Sequence, residues 1–163
     1  MSKQIVTFAL GSNLGNRLLY LDTALRSLQE NGFDIKRKSR VWETAPWGKL
    51  NQPRFLNMCV IAETAIACKN MLSIIKAIEC KIGRKETEKW GEREIDIDII
   101  FVDDKIFENN NLSVPHKLVH ERAFVLKPLA EIAPDMLHPQ LNKTVKELLE
   151  ALPEEKMEWI MKL

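Results

Sequence analysis

The chain has 163 residues and a mass of 18.8 kDa, so we expect residues 1–163 to form a single domain. Hydrophobic residues make up 45% of the sequence and charged residues 29%, which argues against disordered, fibrous and disulfide-scaffold proteins. The 24 Lys and Arg nearly balance the 23 Asp and Glu, so the sequence lacks the basic excess typical of nucleic-acid binding.

Three strands and two helices are predicted in the first half of the chain. Residues 5–10 form an apolar run typical of a strand, and the turn-rich loop 11–16 (GSNLGN) follows it. Leucines at positions 18, 21, 25 and 28 recur at helical spacing before Gly32. Residues 33–42 and 55–64 predict strands joined by an irregular loop, 43–54. Apolar residues at positions 71, 75, 78 and 82 predict a helix over 67–82.

The second half of the chain completes an alternation of strands and helices. Residues 94–102 predict a strand, and a turn at Asp103 and Asp104 predicts a return hairpin near Ile106. A short strand over 113–116, helical pieces over 121–133 and a last helix over 144–152 follow. The order strand, helix, strand, strand, helix, strand is that of the split βαβ plan. We therefore expect an α+β fold, with an antiparallel sheet and helices packed on one face.

The sequence also predicts where the protein works. No run of about 18 apolar residues occurs, and no signal-peptide pattern precedes the first strand, so we expect a soluble, cytoplasmic protein that binds neither membrane nor nucleic acid. Cys59, Cys68 and Cys80 contain no CxxC pair, and we expect buried free thiols. Size and balanced charge favour a monomer.

Two aspartates in the predicted strand 94–102 are candidate metal ligands. Period-two geometry sends Asp96 and Asp98 to one face, with Cα atoms about 6.6 Å apart, and the isoleucines at 95, 97 and 99 to the other. Like charges at this spacing repel unless cations lie between them, and Mg²⁺ prefers hard oxygen ligands. The alternative is a solvated strand face whose acids pair with Lys or Arg of a neighbour.

The loop before these aspartates carries candidate phosphate ligands. Residues 83–93 read GRKETEKWGER, and we favour Arg84 and Arg93 because a planar guanidinium can donate two parallel hydrogen bonds to a phosphate. The lysines of this loop can serve solvation alone. Solvation is also the alternative explanation for an isolated charged loop.

Two other patterns do not support the chemistry that they suggest. The loop GSNLGN matches neither GxxxxGK[ST] nor GxGxxG, so it predicts a turn that starts a helix rather than a phosphate or dinucleotide site. His116 and His120 are four residues apart, but Pro115 argues against a regular helix that presents both to zinc. His116 remains a candidate donor to a phosphate or sugar, whereas His120 and His138 carry no functional signal.

Together these motifs resemble a known enzyme family. GSNLG at 11–15, FLN at 55–57, Arg84, WG before Arg93, DID at 96–98 and VPH at 114–116 have the order and spacing of 6-hydroxymethyl-7,8-dihydropterin pyrophosphokinases, over about residues 6–134. The resemblance implies a ferredoxin-like α+β fold. It also implies transfer of pyrophosphate from ATP to the hydroxymethyl group of a dihydropterin in folate synthesis, with release of AMP and with two Mg²⁺ ions bound beside ATP.

The resemblance implies roles for residues on the nucleotide side. Asp96 and Asp98 would hold the magnesium ions and would form the catalytic set together with Arg84 and Arg93. ATP would contact these two arginines and five further residues: Glu79, Trp90, Ile99, His116 and Arg122. The sequence departs from the family pattern at Lys117, where an aromatic residue is expected, and in the loop 84–90, which is one residue short.

On the pterin side, the resemblance implies two stacking rings and one amide. These are Phe55, Phe124 and Asn57, although the sequence alone would also allow both phenylalanines to be core residues. Stacking on a flat heteroaromatic ring is favourable, and an Asn amide offers both a donor and an acceptor to the pterin edge. Further residues implied to line this pocket are Thr44, Pro46 and Trp47. We expect the loops 43–54 and 84–93 to close on bound ATP and pterin.

Two other classes of function share parts of the pattern. A metal-dependent nucleotidyl- or glycosyl-transferase would share only the DxD motif, and the absence of a basic excess counts against a nucleic-acid acceptor. A sensor module on the same plan would bind a ligand without consuming ATP. Release of AMP from ATP in the presence of magnesium and hydroxymethyl-dihydropterin distinguishes the three.

Overall fold

An antiparallel sheet forms the centre of the molecule in a computed structural model that describes residues 2–46, 48–157 and 160–163. The strands run in the order β10–β3–β4–β1–β5, and β2 also pairs with β4. Their bounds are β1 (Gln4–Ser12), β2 (Asp34–Lys38), β3 (Trp42–Thr44), β4 (Phe55–Thr64), β5 (Asp96–Val102) and β10 (Ile160–Lys162). This order, with β1 and β4 central, confirms the predicted split βαβ plan.

Four α-helices and two small hairpins complete the described structure. The helices are α1 (Arg17–Glu30), α2 (Cys68–Ile82), α3 (Ala123–Ile132) and α4 (Val145–Glu150). The hairpins pair β6 (Phe107–Glu108) with β7 (Ser113–Val114) and β8 (Leu137–His138) with β9 (Lys143–Thr144). Within the part of the chain that is described, none of the helices is both long and apolar enough to cross a membrane.

Helices cover both faces of the sheet, whereas the sequence predicted one covered face. Alternate side chains of β4 enter two separate cores, with Met58 in the first and Cys59 in the second. The first core contains Leu28 of α1 and Ile75 of α2, and the second contains Leu126 of α3 and residues of α4. The prediction was therefore wrong on this point, because the apolar helix α3 and the helix α4 pack on the face opposite to α1 and α2.

The second predicted strand, 33–42, is divided into β2 and β3. Between them Ser39 keeps the chain attached to β4, because its amide donates to Cys59 O at 2.9 Å and its hydroxyl accepts from Cys59 N at 3.0 Å. The strand β3 then runs into the segment 43–54, which had been predicted as irregular, and the unpredicted strand β10 pairs with it. The edge of the sheet that β3 and β10 form is thus more regular than the sequence predicted.

Three further expectations need correction. The turn at Asp103 exists, and Asp103 N donates to Ile5 O of β1 at 2.8 Å where β5 ends. The following strand β6, however, pairs with β7 and does not return along β5. Leu18 is 55% exposed, so the buried stripe of α1 is formed by Leu21, Ala24 and Leu28. Cys59 and Cys68 are buried as expected, whereas Cys80 is exposed.

Candidate functional site

The two aspartates of β5 lie on the face of the strand opposite to the first core. Ile97 and Ile99 are buried in that core, whereas Asp96 and Asp98 are only partly buried and line a cavity. The pairing of β5 with β1 shifts register between Ile99 and Phe101, so the alternation ends just after the two acids. The predicted geometry of the DxD motif is confirmed.

Three arginines hold these carboxylates. Arg84 Nη1 lies 2.8 Å from Asp96 Oδ1, and Arg93 Nη1 lies 3.2 Å from Asp96 Oδ2. Arg122 Nη1 lies 3.4 Å from Asp98 Oδ2. The acids thus pair with arginines, as the alternative reading of the motif expected, but the partners include both arginines predicted to bind phosphate.

The two carboxyl groups have opposite shifts in pKa. Burial opposes ionisation of Asp96, but the positive charges of Arg84 and Arg93 outweigh it and hold the pKa of Asp96 below its usual value. Burial, and then the negative charge of Asp96, raises the pKa of Asp98 to about 7. The raised pKa of Asp98 shows that the two carboxylates repel each other, and a cation bound between them would relieve this repulsion.

The donor set suits magnesium better than zinc. Mg²⁺ takes few protein carboxylates and completes its shell with water and phosphate oxygens, and Asp96 and Asp98 supply two such carboxylates from one strand face. Among the described residues, no group of three or more His, Cys, Asp and Glu is placed to hold a metal ion. His120 lies 3.7 Å from Glu121 instead, on a short 3₁₀ turn.

Glu79 of α2 is a buried acid that fixes one of the arginines. It is 2% exposed and accepts hydrogen bonds from Ile97 N at 3.0 Å, from Lys76 Nζ at 2.9 Å and from Arg84. Because Arg84 also contacts Asp96, the guanidinium is held between two carboxylates. Glu79, Arg84, Arg93, Trp90 and Lys76 border a cavity that we call the arginine cavity.

His116 is a neutral hydrogen-bond donor at the edge of a second cavity. Its Nδ1 accepts from Leu118 N at 3.1 Å, so the hydrogen of the neutral ring lies on Nε2. Burial, followed by the charge of Arg122, lowers the pKa of His116 to about 4. This histidine cavity is bordered by His116, Asp98, Ile99, Trp90 and Arg122, among others.

A third cavity, the aromatic cavity, joins the predicted stacking residues to the two acids. It measures about 510 Å³ with its open mouth. Its lining includes Thr44, Phe55, Asn57, Trp90, Arg93, Asp96, Asp98, Arg122 and Phe124. Neither phenylalanine is a fully buried core residue. Ala45 lines the cavity whereas Pro46 is not among the described residues that do, and Trp47 lies outside the described residues.

Gly11 is a residue of the site that the sequence did not predict. It lies in β1, paired with Asn57 on one side and Asp96 on the other. A Cβ atom at this position would lie 2.6 Å from Asn57 Oδ1, so only glycine leaves room for the amide. The Asn57 Nδ2 group in turn donates to Thr44 Oγ1 at 2.6 Å. A glycine inside an apolar strand was the available signal, but it had been interpreted as part of a turn.

Asn13 connects the three loops around the site, which the sequence also did not indicate. Arg93 N donates to Asn13 Oδ1 at 2.9 Å, and Asn13 Nδ2 donates to Gln52 Oε1 at 2.9 Å and to Pro53 O at 3.0 Å. Gln52 Nε2 then donates to Trp90 O at 2.7 Å. One asparagine thus ties the start of α1 to the loops 45–54 and 84–93.

The same two loops also meet through side chains at the surface. Lys49 pairs with Glu88, and Gly48 lies against the Trp90 ring, where an added Cβ would come within 3.0 Å of the indole. Lys117, which stands where an aromatic residue was expected, pairs with Glu108 at 2.8 Å.

Known proteins are similar to this chain over most of its length. The family model described as 7,8-dihydro-6-hydroxymethylpterin-pyrophosphokinase matches residues 7–134. The 2-amino-4-hydroxy-6-hydroxymethyldihydropteridine pyrophosphokinase of Aquifex aeolicus is 42% identical over 142 residues, which cover 87% of this chain and 88% of the relative. The enzyme of the same name from Methylorubrum extorquens is 38% identical and covers 88% and 90%.

Longer proteins are also similar. The mitochondrial folate synthesis bifunctional protein of Arabidopsis thaliana is 40% identical, but this chain spans only 23% of its length. Plasmodium falciparum HPPK-DHPS, solved with pterin and p-hydroxybenzoate, matches 91% of this chain with a TM-score of 0.74 at 20% identity, and the chain spans 44% of that structure. At this identity the structural match supports the fold alone.

Proposed function

Because the chain belongs to the 7,8-dihydro-6-hydroxymethylpterin-pyrophosphokinase family, we propose that its three adjoining cavities form the site where pyrophosphate passes from ATP to a dihydropterin. In this reaction the hydroxymethyl group of 6-hydroxymethyl-7,8-dihydropterin receives the pyrophosphoryl group, AMP leaves, and the product serves folate synthesis. The assignment of residues to each substrate below is part of the proposal.

One observation carries the proposal. The lining of the aromatic cavity contains Phe55, Asn57 and Phe124 together with Asp96 and Asp98, so a flat ring and a metal-bound phosphate can meet inside it. A nucleotidyl- or glycosyl-transferase that shares only DxD would not need this combination. A ligand sensor would not need three arginines around the acids.

At the pterin end, the rings of Phe55 and Phe124 would stack on the bicycle. Asn57 is already oriented, since its Nδ2 donates to Thr44 and its Oδ1 faces Gly11. A buried, fixed amide discriminates strongly between ligands that match its donor and acceptor and ligands that do not. We therefore propose that Asn57 selects the pterin edge.

At the nucleotide end, Asp96 and Asp98 would hold two Mg²⁺ ions together with the phosphates of ATP. Bound magnesium supplies charge neutralisation on the phosphoryl oxygens and lowers the pKa of a coordinated hydroxyl. The arginine cavity would take the triphosphate and the histidine cavity the nucleoside, with His116 donating from Nε2. Ile99, Trp90 and Arg122 would border the nucleotide.

The residues of the chain contribute mainly orientation and charge. Arg84 and Arg93 would turn from Asp96 towards the transferred phosphates, where their forks neutralise developing negative charge. Glu79 of α2 would keep Arg84 at the site by accepting a hydrogen bond from its guanidinium. Asp98 lines the aromatic cavity together with the pterin residues, and in this proposal it would also help to take the proton of the attacking hydroxyl.

Closure of two loops would exclude water during the transfer. The contacts Lys49–Glu88 and Gln52–Trp90 already join the loops 45–54 and 84–93. Ligands on both sides of Trp90 would strengthen this junction, so hydrogen exchange in both loops should slow when ATP and pterin are added together. Unchanged exchange in both loops would contradict closure.

The proposal is tested by measuring AMP release from ATP with 6-hydroxymethyl-7,8-dihydropterin. We expect AMP in the presence of magnesium, no AMP with EDTA or without the pterin, and loss of turnover in Asp96→Ala and Asp98→Ala with folding retained. Binding of the pterin without AMP release would favour a sensor, and transfer to sugars or nucleic acid would favour the other transferases. The expectations of a cytoplasmic location and of a monomer belong to the same proposal, and a light-scattering mass of 18.8 kDa checks the monomer.

A further inference from the structure

Arg17, the first residue of α1, contacts Glu43 and Arg54, the two ends of the segment 43–54. Its Nη1 donates to the carbonyl oxygen of Arg54 at 2.9 Å, and its Nη2 lies 3.3 Å from Glu43 Oε2. The side chains of Arg17 and Glu43 are only 31% and 21% exposed, so water screens this pair less than a fully exposed one. Arg17 itself is not among the residues that line the aromatic cavity.

The two contacts lie next to residues that do line the cavity. Glu43 precedes Thr44, and Arg54 precedes Phe55, and Thr44 and Phe55 face each other in the β3–β4 ladder. A side chain that joins residues 43 and 54 therefore closes the base of the loop between them. It thereby reinforces, at the end of the β3–β4 ladder, the pairing that holds the Thr44 hydroxyl and the Phe55 ring side by side.

Arg17 is suited to this task because its own position is rigid. The Asn16 side chain caps α1 by accepting from Leu19 N at 3.1 Å, and α1 is packed into the first core through Leu21 and Leu28. The guanidinium is a planar fork that can serve a carbonyl and a carboxylate at the same time. A lysine presents its donors from a single nitrogen, so it matches two separated acceptors less well than the two nitrogens of the fork do.

We propose that Arg17 is a positioning residue for the dihydropterin: it sets the geometry of the aromatic cavity from outside by holding the two ends of the 43–54 loop together. This inference rests on the proposed function. Arg17 acts through Thr44 and Phe55 and touches neither substrate, so its loss should weaken pterin binding and leave the nucleotide end unchanged.

Kinetics of Arg17→Ala, Arg17→Lys and Glu43→Gln test the inference. We expect the KM for the pterin to rise about tenfold in Arg17→Ala, with a smaller rise in the other two variants, while the KM for ATP changes less than twofold. The matched control is Arg26→Ala, because Arg26 lies on the same helix and its side chain pairs with the neighbouring Asp22 at the surface. It should leave both KM values unchanged.

A binding measurement separates failure of this inference from failure of the proposed function. Calorimetric titration with the pterin, magnesium and a non-hydrolysable ATP analogue measures pterin affinity without turnover. If the wild type does not bind the pterin, the proposed function fails. If the wild type binds and Arg17→Ala binds equally well, or if Arg17→Ala weakens the pterin and the ATP analogue by the same factor, the role of Arg17 is refuted. Faster hydrogen exchange over residues 45–54 in ligand-free Arg17→Ala would support it.

Discussion

Replacing Gly11 by alanine tests whether Asn57 reads the pterin. Gly11 has the extended backbone of β1, which alanine also adopts, so the change adds a methyl group without straining the main chain. The new Cβ would lie 2.6 Å from Asn57 Oδ1 and 3.6 Å from Phe55 Cδ1. The perturbation is therefore confined to the amide and the edge of one ring.

The size of the effect follows from the contact distances. Asn57 must retreat by about 0.8 Å to reach an ordinary contact with the methyl group. Its hydrogen bond to Thr44 Oγ1, 2.6 Å long, then lengthens or breaks, and Asn57 is only 7% exposed, so water does not replace it. A displaced amide no longer matches the pterin edge, and a buried hydrogen bond that is lost or must be restored on binding costs about 1–3 kcal/mol, which corresponds to about a 5- to 150-fold weaker pterin affinity.

Steady-state kinetics with each substrate varied in turn measures this effect. We expect the KM for the pterin to rise within that range and the KM for ATP to stay within about twofold. Gly32→Ala is the control, since Gly32 has φ +91° and is not among the residues that line the aromatic cavity, and the change should lower stability without altering either KM. A Gly11→Ala enzyme with the wild-type KM for the pterin would refute the role given to Asn57.

Three further predictions use the titratable groups. In magnesium-free buffer at pH 8, Asp98→Asn should raise the free energy of unfolding by about 1–2 kcal/mol, because the raised pKa means that the folded protein loses stability between about pH 4 and pH 7 as Asp98 ionises. Urea melts of the two proteins check this, and a destabilised variant would contradict it; in the assay with magnesium the same variant should show no turnover. Burial lowers the pKa of His116 to about 4, so between pH 6.5 and pH 4 the unfolded chain binds a proton that the folded protein does not. Urea melts should therefore show the free energy of unfolding falling by up to about 3 kcal/mol by pH 4, and His116→Gln should remove this fall. Iodoacetamide should label Cys80 in the folded protein and Cys59 only after unfolding, since Cys59 is buried and burial raises the pKa of its thiol; mass spectrometry of the adducts checks both.

The strands and helices that the sequence predicted well are those with long, regular periodicity. The predicted strand 55–64 coincides with β4, and the predicted helix 67–82 differs from α2 by one residue. The short strand β10 was missed and β3 was predicted only at Trp42, because three residues carry no usable period. Their pairing depends on residues far apart in the sequence, such as Thr44 and Ile160.

The parts of the site that lie on one segment could be predicted, and the parts that arise from long-range packing could not. Asp96 and Asp98 share a strand face by period alone, and Arg93 precedes them in the same segment. Gly11 and Asn13 acquire their importance only when β1 is placed between β4 and β5, which no local motif states. The roles of the residues toward each substrate stay predictions until the assays above are done.

Trp90 borders all three cavities, and this has a consequence for how the two substrates influence each other. A ligand that fixes the indole from one side removes conformational freedom that a ligand on the other side would otherwise have to remove itself. The two ligands then favour each other's binding. Thermodynamic linkage requires the factor by which the nucleotide tightens the pterin to equal the factor by which the pterin tightens the nucleotide. Through contacts with both ligands, the Trp90 side chain can thus contribute to the coupling free energy between the nucleotide and the pterin.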